Sequence, residues 1–366
     1  ITIFSKPSGS GIHPAYLQAW TMLSGQLVEQ GGVSTVTPQQ KDSPQGSEKR
    51  RRRGLPFYLT WKGLTAIFSS RFLIFLHTFG AWVYPLLRLI PGRKILLFLP
   101  ETITMEPGKN FLSYLLGLIR EKLAVSLAHE ILVNNPAVGE RITSRYGKRA
   151  HYLPLAFSSP VLPEKMIFPE KVDPQKPYIF CHWPAGVDGD WEMVLKAFAQ
   201  YPRYPLVMVA SWQRTRQAQQ LFNHYQAYQN LILLEESTVS ASLTGLMQQA
   251  FAYVHADRNG GTSPYLVQAM SLGKAILCLD LPQHRETTGF QAAYFRHATQ
   301  LISFLADHNR TYFKDLGLKM LQQTRFQQDA TESQERILRL LHPPQSPLRI
   351  PFFSRRKARP SSLPVK

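Results

Sequence analysis

Apolar positions along the chain follow two rhythms, short continuous runs and longer stretches with a three-to-four residue repeat, and the two alternate almost throughout. The short runs, bounded by Gly, Pro and polar residues, predict strands buried on both faces. The longer repeats predict helices with one apolar face. "ITIF" predicts a strand at 1–4, followed by the loop "SKPSGSGIHP" and a helix over 15–30 on which Tyr16, Trp20, Leu23 and Leu27 form the inner face. A second strand is expected in "GGVSTVTPQ". The polar, basic excursion "QQKDSPQGSEKRRRRG" then has no pattern able to bury a core.

The segment "RFLIFLHTFGAWVYPLLRLI", 71–90, is nearly long enough to span a bilayer, but His77, Pro85 and Arg88 interrupt it. One αβ unit accounts for it instead: a strand at Phe72 to Leu76, a turn at Gly80, a helix from Ala81 to Ile90 and a strand from Lys94 to Leu99. A helix over 110–127 then leads into strands in "EILVNN" and "RAHYLPLAF". Residues 158–177 carry five prolines and little periodicity, as a linker would, which places a first domain at 1–160 and the linker at 161–177.

The alternation restarts in a second domain, 178–310, with strands in "YIFCHW", "PLVMVAS", "LILLEE", "FAYVHA", "AILCLD" and "AAYF". Between them lie helices in "DWEMVLKAFAQ", 214–228 and "ASLTGLMQQA", and the loop "LPQHRETTGF". Closing helices are expected at 311–342 and a basic tail at 343–366. The expected fold is α/β, with two Rossmann-like, doubly wound parallel-sheet domains facing a cleft. A chain of 366 residues with 44% hydrophobic content can build both cores.

Charge adds a surface property to this picture. The net charge of +18 is concentrated partly in "EKRRRRG" at 48–54 and "SRRKARPSSLPVK" at 354–366. Such runs are either solvated loops or footholds on a polyanion. No zinc-finger spacing, RNA-binding motif or helix-turn-helix signature accompanies them, so no nucleic-acid partner is expected and an anionic membrane surface is. The two cysteines, Cys181 and Cys278, each sit inside a strand-like apolar run and imply a reducing compartment. No leader pattern is read in "ITIFSKPSGSG". The expected location is cytoplasmic, peripheral at the inner face of the plasma membrane.

Candidate chemistry centres on "NGGTSPYLVQAMSLGKAI", 259–276. Ser263 has the side chain of an N-cap and Pro264 the fixed φ of a first helical residue, so a helix should begin there with Gly260, Gly261 and Thr262 around its positive end. Such a turn suits phosphate. A capped helix after a tight turn explains the same residues without a ligand.

The longer run "AYVHADRNGGTSPYLVQAMSLGKAILCLDLPQHRETTGFQAAYF", 252–295, resembles the donor-binding half of the retaining glycosyltransferases of family four, within a rhamnosyltransferase-like branch. The resemblance implies a GT-B fold and metal-independent transfer of a sugar from a nucleotide-sugar donor to a glycan or lipid-linked acceptor in polysaccharide biosynthesis. It implies no cofactor and no metal site. By the same resemblance Gly260, Gly261, Thr262 and Ser263 would hold the donor diphosphate, with Arg285 and the pair Thr287 and Thr288 from the element "HRETT" nearby. A guanidinium there can pair with phosphate or with an acidic neighbour.

Three positions depart from the family pattern. Gln268 stands where a glutamate would hold the ribose hydroxyls. His182 stands where an arginine would clamp the diphosphate. Pro100 followed by Glu101 stands where the first domain commonly shows a histidine or an acidic residue. Glu101 could orient the acceptor or stabilise an oxocarbenium-like centre, or be a solvated loop carboxylate. On the first-domain side Glu101 and His77 are the catalytic candidates, and Ser8, Gly9, Ser10, Gly11 and His13 are the acceptor-side loop. The competing reading is a binding protein with the same fold and a decayed donor site.

Overall fold

The computed structural model describes residues 2–4, 72–76, 78–101, 111–153, 168–184, 187–239, 242–258 and 261–327, with 335 and 339 singly. The expected helix at 15–30, the strand in "GGVSTVTPQ", both basic runs and the proline-rich 158–167 lie outside them.

The first parallel sheet has the order β1-β2-β3-β4-β5, from β1 (Thr2–Phe4), β2 (Phe72–Phe75), β3 (Lys94–Phe98), β4 (Glu130–Val133) and β5 (His151–Tyr152). Leu73 lies opposite Ile95, and Leu97 opposite Ile131, so continuous apolar runs meet residue by residue. Burial on both faces explains why these strands read as unbroken hydrophobic runs. The described residues of 71–90 form the αβ unit that the sequence predicts, leading from β2 to β3. Gly80 lies within a 3-10 helix, Thr78–Val83, rather than in a turn, and the α-helix is shorter than expected, α1 at Tyr84–Arg88. Pro85 has no N–H to offer the preceding turn and sits where a helix can begin. Among the described residues no helix is long and apolar enough to cross a membrane.

After α2 (Phe111–Leu127) and β4 comes an element that hydrophobic periodicity did not reveal, α3 at Pro136–Tyr146. Its ends carry clear signals. Asn135 is the N-cap and accepts from the Ala137 amide at 2.9 Å, Pro136 is the first helical residue, and Gly147 closes the helix with φ +65°.

The second sheet is six-stranded and parallel, in the order β11-β10-β9-β6-β7-β8. Its strands are β6 (Ile179–Trp183), β7 (Leu206–Ala210), β8 (Leu231–Glu235), β9 (Ala252–His255), β10 (Ala275–Leu279) and β11 (Ala293–Phe295). Helices α4 (Trp191–Gln200), α5 (Arg216–Tyr225), α6 (Glu236–Val239), α7 (Leu243–Gln249) and α8 (Pro264–Ser271) connect them. The order reverses between β6 and β9, which makes the crevice at their carboxyl ends the place where such sheets bind ligands. Both cysteines are fully buried, Cys181 in β6 and Cys278 in β10.

The expected loop at 281–290 is instead headed by a short helix, α9 at Pro282–Thr287, again with proline as its first residue. Two helices follow, α10 (Ala298–Asp307), which lies before the expected closing helices, and α11 (Arg310–Gln327), which lies where they begin. α11 lies against α8 and β10, so closely that a Cβ on Gly317 would sit 2.1 Å from the Gly273 carbonyl oxygen.

Candidate functional site

At the carboxyl ends of β6 and β9 the backbone is tied together. The Asp190 amide donates to the Ala256 carbonyl at 2.8 Å and the Arg258 amide to the Asp188 carbonyl at 2.8 Å, with the Arg258 guanidinium paired to Asp190. Gly189 is required here: a Cβ would lie 2.4 Å from the Ala256 oxygen.

The turn into α8 follows. Ser263 takes the N-cap position with extended backbone (φ −69°, ψ 125°) and Pro264 the first helical one, as the sequence predicts. The Ser263 hydroxyl makes no capping bond, so the positive end of this helix carries no side-chain oxygen of its own.

The first domain closes over this turn. Gly261 packs against Pro100, where a Cβ would approach the carbonyl oxygen to 2.2 Å and lie 3.7 Å from Cβ of Glu101. Its need for glycine comes from this approach and not from a left-handed backbone, since its φ is not positive. Beside it Asn135 directs its amide nitrogen at three acceptors of the second domain: Thr262 Oγ1 at 3.2 Å, the Gln283 carbonyl at 3.1 Å and Thr287 Oγ1 at 3.3 Å. The Thr262 hydroxyl is 3.3 Å from the Asn134 carbonyl. Arg141 donates to Gln283 Oε1 at 3.0 Å, its guanidinium held below the usual range chiefly by burial.

The structure thus brings Gly261, Thr262 and Ser263 together with Glu101, which is exposed. Gly260, His77, Ser8, Gly9, Ser10, Gly11 and His13 lie outside the described residues. The remaining candidates are engaged within the second domain. Gln268, on α8, donates to Thr244 Oγ1 at 3.2 Å. Arg285 pairs with the acidic neighbour Asp280, which Arg296 also binds, and its guanidinium lies 4.4 Å from the Tyr294 ring centre. Thr288 is buried and donates to the His284 carbonyl at 2.7 Å.

His182 is fully buried, with Nε2 3.0 Å from Glu236 Oε1 and its ring edge-on to Tyr265 at 4.3 Å. Ser211 donates to the other Glu236 oxygen at 2.7 Å. The His182 bond, with help from Ser211, holds the Glu236 carboxyl below its usual range, so a negative charge sits at the carboxyl ends of β7 and β8.

Asn135 and Glu236 were not among the predicted site residues. The capping signals around α3 mark Asn135 as a helix start. Glu236 carries no local signal beyond its place after a strand. A separate cavity of about 590 Å³ opens between β8, α5 and residues 168–171, lined by Phe168, Trp212, Gln219, Phe222, Asn223 and Glu235. It takes no wall from the turn into α8.

Several solved structures share this architecture. Anabaena HepE in complex with UDP-glucose matches with a TM-score of 0.63 at 12% identity, covering 93% of this chain and 98% of that one. WaaG, a glycosyltransferase involved in lipopolysaccharide biosynthesis, matches with a TM-score of 0.59 at 12% identity, over 93% and 99% of the two chains. Sucrose-phosphate synthase from Thermosynechococcus elongatus matches with a TM-score of 0.59 at 15% identity, over 77% and 75%. The chain has the GT-B fold of such glycosyltransferases. No family model and no curated protein matches its sequence.

Proposed function

We propose that this chain is a glycosyltransferase that moves a sugar from a nucleoside diphosphate donor, UDP-linked in the first instance, to a glycan or lipid-linked acceptor in polysaccharide biosynthesis. The observation that carries this reading is the turn 261–263. It is a helix start with no side-chain cap, placed at the meeting of two Rossmann-like domains and faced by Glu101. Fold likeness to structures holding UDP or UDP-glucose supports the donor class.

In this reading the amides at the start of α8 receive the leaving diphosphate and stabilise its charge as the anomeric C–O bond breaks. The acceptor oxygen forms the new bond and releases its proton, while the nucleotide leaves with the electron pair. Glu101 lies on the acceptor side of the turn, where a carboxylate favours positive charge at the sugar carbon. The run 252–295 supports a retaining, metal-independent transferase of family four, rhamnosyltransferase-like branch. The excess of positive charge supports work at the cytoplasmic face of a membrane.

A second reading has its own observation. Gln268, His182 and Arg285 are all bonded inside the second domain, as in a protein that binds nucleotide or glycan without turnover. Incubation of the full chain with UDP-, GDP- and dTDP-sugars, followed by assay of released nucleoside diphosphate, separates the two. Release from one donor class is expected for the transferase. Saturable binding with no release from any donor, with or without glycan acceptors, establishes the second reading.

A further inference from the structure

Large apolar side chains that are exposed in the second domain, such as Tyr228, Phe290, Tyr312 and Leu318, are scattered. In the first domain they are gathered. The 3-10 helix, α1 and α2 pack against one another, and they expose eight of the twelve such side chains found among the described residues. Trp82 is 59% exposed, Leu86 65% and Leu89 78%. On α2 the exposed Leu112, Leu116 and Ile119 follow one another at helical spacing along one face, opposite the buried Gly117, Glu121 and Val125. The first half of α2 is therefore apolar outside as well as inside. Its second half turns outward with Lys122 and Ser126 instead.

The exposed charged residues on these three helices, Arg88 and Lys122, are both cations. Between 78 and 100 the chain carries Arg88, Arg93 and Lys94 and no acidic residue. On α2 the one carboxylate, Glu121, is buried and held by Arg145 and by the Tyr146 hydroxyl. At the Arg88 end the cations cluster: burial, then Arg88 and Lys94, disfavour the charged form of His129; Glu130 opposes them, and Lys148 adds a smaller effect in their sense. Glu130 itself faces His151 at 2.9 Å.

An apolar face with a cationic rim and an exposed tryptophan suits one kind of partner. Two copies meeting face to face about a two-fold axis would bring one cationic rim against the other. A bilayer with anionic headgroups accepts the apolar side chains in its outer boundary and neutralises the rim. We infer that the face formed by the 3-10 helix, α1 and the first half of α2 is the seat of this protein on an anionic lipid surface. This inference rests on the peripheral membrane reading and moves its centre from the basic runs at 48–54 and 354–366 to the first domain's own surface.

The test is sedimentation of the full chain with vesicles of phosphatidylcholine alone and of phosphatidylcholine with phosphatidylglycerol. Compared with it are Leu86→Glu with Leu116→Glu, and a chain lacking 354–366 with Arg50 to Arg53 neutralised. Both leucines are exposed, so an unchanged thermal melt is expected. The unmodified chain should partition at least tenfold better onto the anionic vesicles, and the double leucine variant should lose at least tenfold, more than the chain without basic runs loses. Brominated acyl chains should quench fluorescence in the unmodified chain more than in Trp82→Phe. Equal binding by the double leucine variant overturns the assignment while leaving a membrane role to the basic runs. Absence of binding by the unmodified chain to either vesicle overturns the membrane reading itself. A concentration-dependent dimer that the leucine substitutions abolish shows instead that a second copy covers the face, and also overturns the assignment.

Discussion

Asn135 Nδ2 lies 3.2 Å from Thr262 Oγ1, a hydrogen bond between residues 127 positions apart that joins the first domain to the turn in front of α8. The same amide reaches the Gln283 carbonyl and the Thr287 hydroxyl, while its own oxygen caps α3. One side chain thus starts a helix in one domain and sets the position of the candidate donor turn in the other.

Two substitutions separate these roles. Asn135→Asp keeps the capping oxygen and removes the donor, and Asn135→Ala removes both. The cross-domain bonds predict that the Asp variant alone already costs about 1–3 kcal/mol, because buried acceptors lose their partner. The Ala variant should add about 1 kcal/mol for the lost cap. Thermal or denaturant melts provide the check; a neutral Asp variant would reduce Asn135 to a helix cap.

Gly261→Ala tests the closure of the first domain over the turn. The new Cβ would meet a backbone carbonyl at 2.2 Å, which cannot yield as a flexible side chain does. The two domains should be pushed apart at this point, lowering nucleotide affinity at least tenfold, or about 1.4 kcal/mol. Calorimetric titration with UDP reads the affinity, and a melt shows whether the protein remains folded.

Gln268→Glu replaces a neutral acceptor by a charged one where the resembled family has a carboxylate. The bond partner Thr244 Oγ1 can donate to the new side chain, so the fold should tolerate the change. If the ribose is bound there, donor affinity should rise by about 1 kcal/mol, the difference between charged and neutral hydrogen bonds. Unchanged affinity would remove Gln268 from the donor site.

Stability should fall as the pH drops below about 6.5. Burial lowers the His284 ring to about 4, partly opposed by the bond from its Nδ1–H to the Leu279 carbonyl. Buried His255 shifts in the same direction, with the two rings 4.8 Å apart. The unfolded chain takes up protons below about pH 6.5 that the folded one refuses, so stability is complete above that pH and is lost as pH falls towards 4. His284 alone accounts for about 3 kcal/mol across this window. Melting temperatures measured from pH 7.5 to 4.5 should drop below pH 6.5, and more gently in His284→Gln. A flat profile would contradict the burial of these rings.

The second sheet was readable because its strands are buried on both faces, so runs such as "YIFCHW" and "AILCLD" appear as continuous apolar segments. α3 was missed by periodicity, since its eleven residues include six charged or hydroxyl-bearing ones facing solvent or partners, yet Asn135, Pro136 and Gly147 spelled out its ends. α9 was read as a loop because six residues are too few to show a repeat. Of the site, the turn and the helix start are local and could be read directly. The contacts of Gly261 with Pro100 and of Asn135 with Thr262 join distant positions, and no spacing rule reports them.

Hydrogen exchange of the full chain with and without saturating UDP tests the central claim most directly, because it reports where the nucleotide is held. The account predicts slowed exchange at the amides of Thr262, Ser263, Tyr265 and Leu266, where the diphosphate meets the start of α8. Saturable binding of UDP with unchanged exchange over 261–267, and protection instead around the cavity lined by Trp212, Asn223 and Glu235, would contradict it.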